Sequence, residues 1–411
     1  MTMILNRRTL LGTAAAGAAL PLAGHSARAQ SAGVSGTIKI GVMNDQSGPY
    51  RDTGGTSSVA AVQMAVDEFA SKGFKVEVIT ADHQNKPDLG AQLARQWYDR
   101  DGVDVIMDVP TSSVGLAVAG VAKEKNKLHL NIGSASAELT NSACAPSVIH
   151  YIYDTYMLAK STGGATVKAG GDSWFFITAD YAFGKQLQAD TSNMVLASGG
   201  KVLGSVAYPF PGTSDFSSFL LQAQSSGAKV LGLANAGGDT VNSVKQAKEF
   251  GITMRIATML MFITDVNALG LDVAQGLTLT ESFYWDMNDK TRTFTKRFLP
   301  RSPNNYPNMI HAGNYSAALH FLKAVTDMGV PAAKATGSAI ADRMKAMPVV
   351  DECFQGSIRK DGRGLFPAYL FQVKKPAESK GKWDYYNLLQ TTSGEDAYKP
   401  LAASTCSFIK A

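Results

Sequence analysis

Two short runs of small hydroxyl residues carry the chemistry this chain could do. Thr111, Ser112 and Ser113 follow Pro110 at the end of an apolar run, Val103 to Val109. Gly133, Ser134, Ala135 and Ser136 follow a second apolar run, Leu128 to Ile132, with a helical stretch between the two. The order is strand, hydroxyl turn, helix, strand, hydroxyl turn. In a parallel sheet both turns stand at the carboxyl ends of neighbouring strands, where open α/β sheets bind ligands. The free N–H groups of a helix start, together with hydroxyls, receive an anion without any catalytic group. Ser and Thr at such turns also serve as caps of the next helix, so the rest of the chain has to decide between the two roles.

Other chemistry is sparse. There is no phosphate loop, no HExxH, no cysteine pair at zinc spacing and no G-x-S-x-G elbow. Ser226 and Lys229 satisfy S-x-x-K but fall in a helix-to-strand turn with no K-T-G partner. Asp82 and His83 stand together at a strand end with no nucleophile in view, which favours loop anchoring. No catalytic residue, metal or cofactor is expected. A secreted hydrolase is the enzyme alternative, and it would need a nucleophile or metal set of its own.

The elements that must position the two turns read as alternating strands and helices. Thr37 to Met43 is a buried first strand, ending in a turn at Ser47 to Tyr50. Val59, Val62, Val66 and Phe69 recur at helical spacing. Strand and helix repeat four times, which specifies a parallel doubly wound sheet. Val148 to Asp154 reads as a strand leaving this first unit. A second series follows, with strands at Ser173 to Thr178, Val202 to Tyr208, Lys229 to Ala234, Arg255 to Met259 and Leu277 to Phe283. Helical stretches come next at Thr291 to Phe298, Pro307 to Met328 and Ala333 to Met347. Val349 to Gly364 reads as irregular, Tyr369 to Val373 as a strand, and the tail as polar and mostly irregular.

Composition bounds the class. Arg7 and Arg8 precede a weakly apolar run, Leu10 to Leu22, and Ala27-Arg28-Ala29 offers a small-residue cleavage site. Residues 1–29 therefore read as a secretory leader of twin-arginine type, cleaved near Ala29. Removing Arg7, Arg8 and Arg28 from 39 Lys+Arg leaves 36 against 34 Asp+Glu, a balance that gives no nucleic-acid surface. The remaining length exceeds what one core usually holds, and two domains are expected. Cys144, Cys353 and Cys406 allow one disulfide and leave one thiol, without saying which.

The runs IKIGVMNDQSGPYRDTGG, VPTSSVG, LNIGSASAELT and ADYAFG resemble periplasmic substrate-binding proteins of ABC importers, of the leucine/isoleucine/valine-binding type. YWDMNDKTR, YLFQVKKPAESKGKWDYY and the ending around Cys406 resemble a subgroup that includes aromatic-acid binders. The resemblance implies an α/β fold of two doubly wound, Rossmann-like lobes joined by three hinge crossings, a type I periplasmic binding protein. Residues 36–152 and 286–366 would form lobe 1, and residues 153–285 and 367–411 lobe 2. It implies an exported, periplasmic, monomeric binder that delivers a small carboxylate to a membrane permease.

Carried over residue by residue, the resemblance gives the ligand carboxylate to Thr111, Ser112 and Ser113 with Gly133, Ser134 and Ala135. The family's second-loop hydroxyl falls at Ala135, so one contact is missing and Ser134 or Ser136 would have to replace it. The glutamate that holds an amino-acid ammonium is also missing, because the segment reads ATMLMFITD with no acid before Asp265. An ammonium buried without a carboxylate is costly. A flat aromatic acid, of benzoate or phenylpropenoate type, suits the apolar wall better, with a branched-chain amino acid or amide as the alternative. Tyr50, Tyr181, Phe183, Phe262 and Tyr284 are the expected lining, with Asn235 and Gly237 as amide donors or turn formers. Asp154 matches a hinge-side acid that supports an aromatic. Cys144 and Cys406, both in subgroup-like segments, are the expected disulfide.

Overall fold

The computed structural model describes residues 36–69 and 73–409. The leader and its cleavage position near Ala29 lie outside the described residues. Five apolar strands, β1 (Thr37–Asn44), β2 (Lys75–Asp82), β3 (Val105–Asp108), β4 (Leu128–Asn131) and β5 (Val148–His150), form a sheet of order β2-β1-β3-β4-β5. All neighbours in it are parallel. The strand order reverses between β1 and β3, so the loops after these two strands flank a crevice at the switch point. Helices α1 (Gly55–Glu68), α2 (Pro87–Asp99) and α3 (Ser112–Lys125) make the connections.

The second lobe repeats this plan. Strands β6 (Ser173–Ala179), β7 (Lys201–Tyr208), β8 (Val230–Ala234), β9 (Arg255–Thr258) and β10 (Thr278–Glu281) lie in the parallel order β7-β6-β8-β9-β10. The main connections are α4 (Ala182–Ala197), α5 (Ser217–Ser225) and α6 (Gly238–Glu249). Its switch point falls between β6 and β8, which brings the loops starting at Asp180 and Asn235 to the crevice. These are the two doubly wound, Rossmann-like lobes that the sequence leads one to expect.

Four readings of the sequence need correction. Val148–His150 does not leave the first sheet; it pairs with β4, and only the residues after it cross over. The helix read over Ala333 to Met347 is two, Val330–Ala335 and Gly337–Ala346, separated at Thr336, whose hydroxyl caps the second. The segment read as irregular holds a small antiparallel sheet, β11 (Val349–Val350), β12 (Gln355–Ile358) and β13 (Gly364–Leu365). The tail contains β15 (Tyr386–Thr392), antiparallel to β14 (Ala368–Val373), and together they widen the second sheet beyond β10.

The tail also departs from the lobe assignment made for residues 367–411. After β15 it runs back to the first lobe, where Cys406 is bonded to Cys144 and Ser404 donates to the carbonyl of Thr140 at 3.4 Å. Cys353 keeps a free thiol. Among the described residues no helix is long and apolar enough to cross a membrane.

Candidate ligand-binding site

A small cavity lies between the lobes. The first lobe lines it with Tyr50, Thr53, Pro110, Thr111, Ser112, Gly133, Ala135 and Ile310, and Tyr153 stands at the crossing. The second lobe contributes Tyr181, Phe183, Ala236, Leu260 and Phe262. Apart from Tyr153 and Ile310, these residues come from the loops and helix starts after β1, β3 and β4 on one side and after β6, β8 and β9 on the other, the strand ends that the two switch points bring together.

The polar end is built at the start of α3. Thr111 precedes the helix with φ 72°, an uncommon conformation for a β-branched residue. The N–H groups of Val114 and Gly115 donate to its carbonyl at 2.8 and 3.0 Å, while those of the first two residues of α3 lie beyond the reach of any helical carbonyl. The Ser112 hydroxyl is buried and has no partner among the described residues. A buried unpaired hydroxyl is costly, and this one lines the cavity. Tyr153 donates to the carbonyl of Gly133 at 2.7 Å and meets the Phe262 ring edge-on.

The phenols of Tyr50 and Tyr181 bond each other across the cleft. Two hydroxyls share one hydrogen bond, which leaves one hydroxyl hydrogen for an acceptor in the cavity. Burial raises the pKa of both phenols, so both stay neutral. Phe210 stacks on Tyr181 at 4.2 Å and on Tyr50 at 5.6 Å, covering the pair. The Gly238 N–H donates to the Pro49 carbonyl at 3.2 Å, and Gly237, at φ 58°, leaves room for that approach. These contacts join the lobes in a closed arrangement.

None of the lining residues is charged. Asp265 is occupied as a cap, accepting from the N–H of Phe262 at 2.9 Å, and burial raises its pKa to about 7. Asp239 accepts from the Tyr208 hydroxyl at 2.7 Å, and burial raises it to about 6. Neither carboxylate lines the cavity.

Of the residues singled out in the sequence, Tyr50, Thr111, Ser112, Gly133, Ala135, Tyr181, Phe183 and Phe262 line the cavity together. Six do not. Ser113 is half-buried on α3, outside the lining. The Ser134 hydroxyl is donated to the Val109 carbonyl, and Ser136, its proposed substitute, accepts from the N–H of Glu138. Asn235 accepts from Thr240 at 2.8 Å and donates to Ser243 at 3.1 Å, organising the start of α6. Gly237 lies against Pro49 and Tyr50 and acts in lobe contact. Tyr284 packs among Trp285, Phe371 and Tyr386 in the second-lobe core.

Asp154 is the sixth. It caps the helix that starts at Thr155 and pairs with Arg363 at 3.4 Å, both buried at the crossing. Burial raises its pKa against the pull of Arg363. The lining residues that sequence reading passed over are Thr53, Pro110, Tyr153, Ala236, Leu260 and Ile310. Tyr153 directly precedes the crossing acid, and Ala236 lies between two chosen residues, so both had a local signal. Ile310 had none, since it comes from the long helix Met309–Met328.

Two doubly wound lobes closed over an uncharged, hydroxyl-ended cavity define a solute-binding protein. A model described as periplasmic binding protein matches residues 37–382, and the chain belongs to that family. It is similar to a periplasmic binding protein from Burkholderia mallei, with 47% identity over 90% of this chain and 98% of that one and a TM-score of 0.87. A branched chain amino acid ABC transporter periplasmic ligand-binding protein from Burkholderia xenovorans is 37% identical, covering 90% of this chain and 99% of that one at a TM-score of 0.78. An ABC transporter solute-binding protein from R. palustris, solved with benzoate, shares the fold at 18% identity and a TM-score of 0.79, covering 90% of this chain and all (100%) of that one.

Proposed function

We propose that this protein is the capture component of an ABC importer for a small aromatic carboxylate, of benzoate or phenylpropenoate type, and that it is not an enzyme. The observation that carries the reading is the division of the cavity. The first lobe offers an unpartnered Ser112 hydroxyl at a helix start, which would receive an anion, while the second lobe offers Phe183, Ala236, Leu260 and Phe262 with no carboxylate. An α-amino acid would bury its ammonium there unpaired. A flat ring with one carboxylate satisfies both halves.

Ligand would be gripped first by the fixed turns of lobe 1 and enclosed when lobe 2 swings in, the closed form being held by Tyr181 meeting Tyr50 and Gly238 meeting Pro49. The released solute would pass to a membrane permease. The branched-chain alternative draws on the name carried by the B. xenovorans relative. The R. palustris protein binds benzoate, but at its low identity it lends fold alone.

The test is a thermal-shift screen of the exported chain with benzoates, phenylpropenoates, leucine, valine and small amides, followed by calorimetry. Ligand that binds the native state raises the midpoint. Shifts with aromatic acids alone support the reading, and a shift with leucine or valine but no aromatic acid refutes it.

A further inference from the structure

The first lobe holds a buried polar chain that ends at the cavity without entering it. Asp45, at the end of β1, is fully buried, yet its carboxylate is surrounded by donors. It accepts from the N–H groups of Ser47 at 3.3 Å, Gly48 at 2.6 Å and Tyr50 at 2.8 Å. It also accepts from the side-chain amide of Asn85 at 2.9 Å. The carbonyl oxygen of that amide in turn accepts from the Thr111 hydroxyl. Asn85 is fixed from behind by its own N–H, which donates to Nδ1 of His83 at 3.0 Å.

The chain therefore ties together the ends of β1, β2 and β3. At one end it holds the loop that carries the Tyr50 phenol. At the other it holds Thr111, whose backbone, at φ 72°, aims the start of α3. Since the only hydroxyl hydrogen of Thr111 goes to Asn85, that hydroxyl cannot donate to a ligand. Its work is orientation. Asn85 also sits at positive φ, 58°, and Gly48 admits it closely, since a Cβ there would lie 2.6 Å from its amide nitrogen.

We propose that Asn85, anchored on Asp45, is a positioning residue for ligand capture that sets the anion-receiving turn at Thr111 and Ser112 and couples it to the Tyr50 loop. The inference rests on the proposed function only in that the ligand carries a carboxylate. It applies to an aromatic acid and to an amino acid alike.

Calorimetry with benzoate, and with leucine if benzoate gives no binding, tests it on Asn85→Ala, Thr111→Val, the double variant and Asn85→Asp. Each of the first two should weaken binding about tenfold. Because Asn85 acts through Thr111, the double variant should be no weaker than the worse single variant, within about twofold. Asn85→Asp sets two carboxyl groups side by side, which share a proton only as pH falls. A shared proton restores both a donor to Asp45 and an acceptor for Thr111. This variant should therefore bind weakly at pH 8 and regain affinity toward pH 5.5, while Asn85→Ala does not.

The other titratable groups facing Asn85 are His83 and Asp82. His83 is held neutral by burial, with a pKa lowered to about 4, and the Asp82 carboxylate is engaged by Ser47 and by the N–H of Gln84.

Wild-type affinity in Asn85→Ala, a double variant that loses the product of the single losses, or a flat pH profile in Asn85→Asp would each overturn the assignment. Leucine binding with the coupling intact would sink the aromatic-acid reading and leave this one standing. Binding of no carboxylate in the thermal-shift panel would end both. Should Asn85→Ala not fold, the pH profile of Asn85→Asp decides alone.

Discussion

Ser112→Ala should move affinity and unliganded stability in different directions. The Ser112 hydroxyl is buried, and it belongs to a residue that lines the cavity and has no side-chain partner among the described residues. In the complex it would donate to a carboxylate, and a hydrogen bond to a charged group contributes about 1.5–3 kcal/mol. Its loss predicts an affinity about tenfold to a hundredfold weaker. In the unliganded protein the same truncation removes a polar group that makes no bond, so unfolding free energy should hold or rise by up to about 1 kcal/mol. Calorimetry with the best ligand of the screen reads the first quantity and urea unfolding without ligand the second. Ser113→Ala, outside the lining, is the control and should change neither. Ser134→Ala, which deletes a donor to the Val109 carbonyl, should instead lower stability by about 1 kcal/mol. Unchanged affinity in Ser112→Ala would refute the argument, and so would a loss of unliganded stability above about 2 kcal/mol, since that would mean the hydroxyl has a structural partner.

Gly237→Ala would place a Cβ 2.7 Å from the Pro49 carbonyl oxygen in a backbone conformation reserved for glycine. The closed form should be disfavoured, with affinity down about tenfold or more and a larger radius of gyration in solution scattering under saturating ligand; an unchanged closed form would count against the lobe contact. Replacing Cys144 and Cys406 by serine opens a covalent loop spanning 262 residues, and unfolding free energy should fall by about 2–5 kcal/mol, read as a lower thermal midpoint. His129 is fully buried with neither ring nitrogen partnered among the described residues, and burial lowers its pKa from 6.5 to about 3. Above pH 6.5 neither state binds the proton; below it the unfolded chain does so first, and stability is lost by about 1.4 kcal/mol per pH unit down to about pH 3. His129→Leu should remove that slope, so the variant gains on the wild type by about 2–3 kcal/mol between pH 7 and 4.5 in urea unfolding.

The parts of the site legible in the sequence were those where a local pattern and a topological rule agree. An apolar run ending in small hydroxyl residues marked β3 and α3, and parallel topology then forced Thr111 and Ser112 to the crevice. Tyr181 and Phe183 were legible in the same way, at the end of β6. Tyr284 follows β10 in the same manner and misled, because β14 and β15, added from nearly a hundred residues further along, cover it with Phe371 and Tyr386. Asn235 misled for a different reason. Its position is right, but Thr240 and Ser243 on the next two turns of α6 draw its amide back into the lobe. The return of the tail to lobe 1 leaves no periodicity to read, and only the pairing of Cys144 with Cys406 that the resemblance implied pointed to it, against the lobe bounds given for residues 367–411. Ile310 shows the general limit: its helix was plain from composition, while the turn that reaches the cavity depends on how that helix packs against α1.

The absence of charge from the lining explains what the site can select. A cation in the cavity would hold any anion, dianions included, and would demand strong desolvation when empty. Here the guanidinium nearest the crossing, Arg363, is committed to Asp154 and to the face of the Tyr398 ring at 4.6 Å. Neutral N–H and O–H donors at a helix start favour one negative charge, by about 1–2 kcal/mol through the helix dipole and about 1.5–3 kcal/mol for each hydrogen bond to it. That suffices to offset burial of a monoanion but leaves little net affinity. The remainder must come from apolar contact, and covering about 150 Å² of ring contributes about 4 kcal/mol. Neither end alone reaches the −8 kcal/mol or so of a micromolar binder. On the proposed reading, selectivity would be a property of the pairing, with the hydroxyl turn disfavouring neutral rings and the Leu260 and Phe262 wall disfavouring ammonium groups.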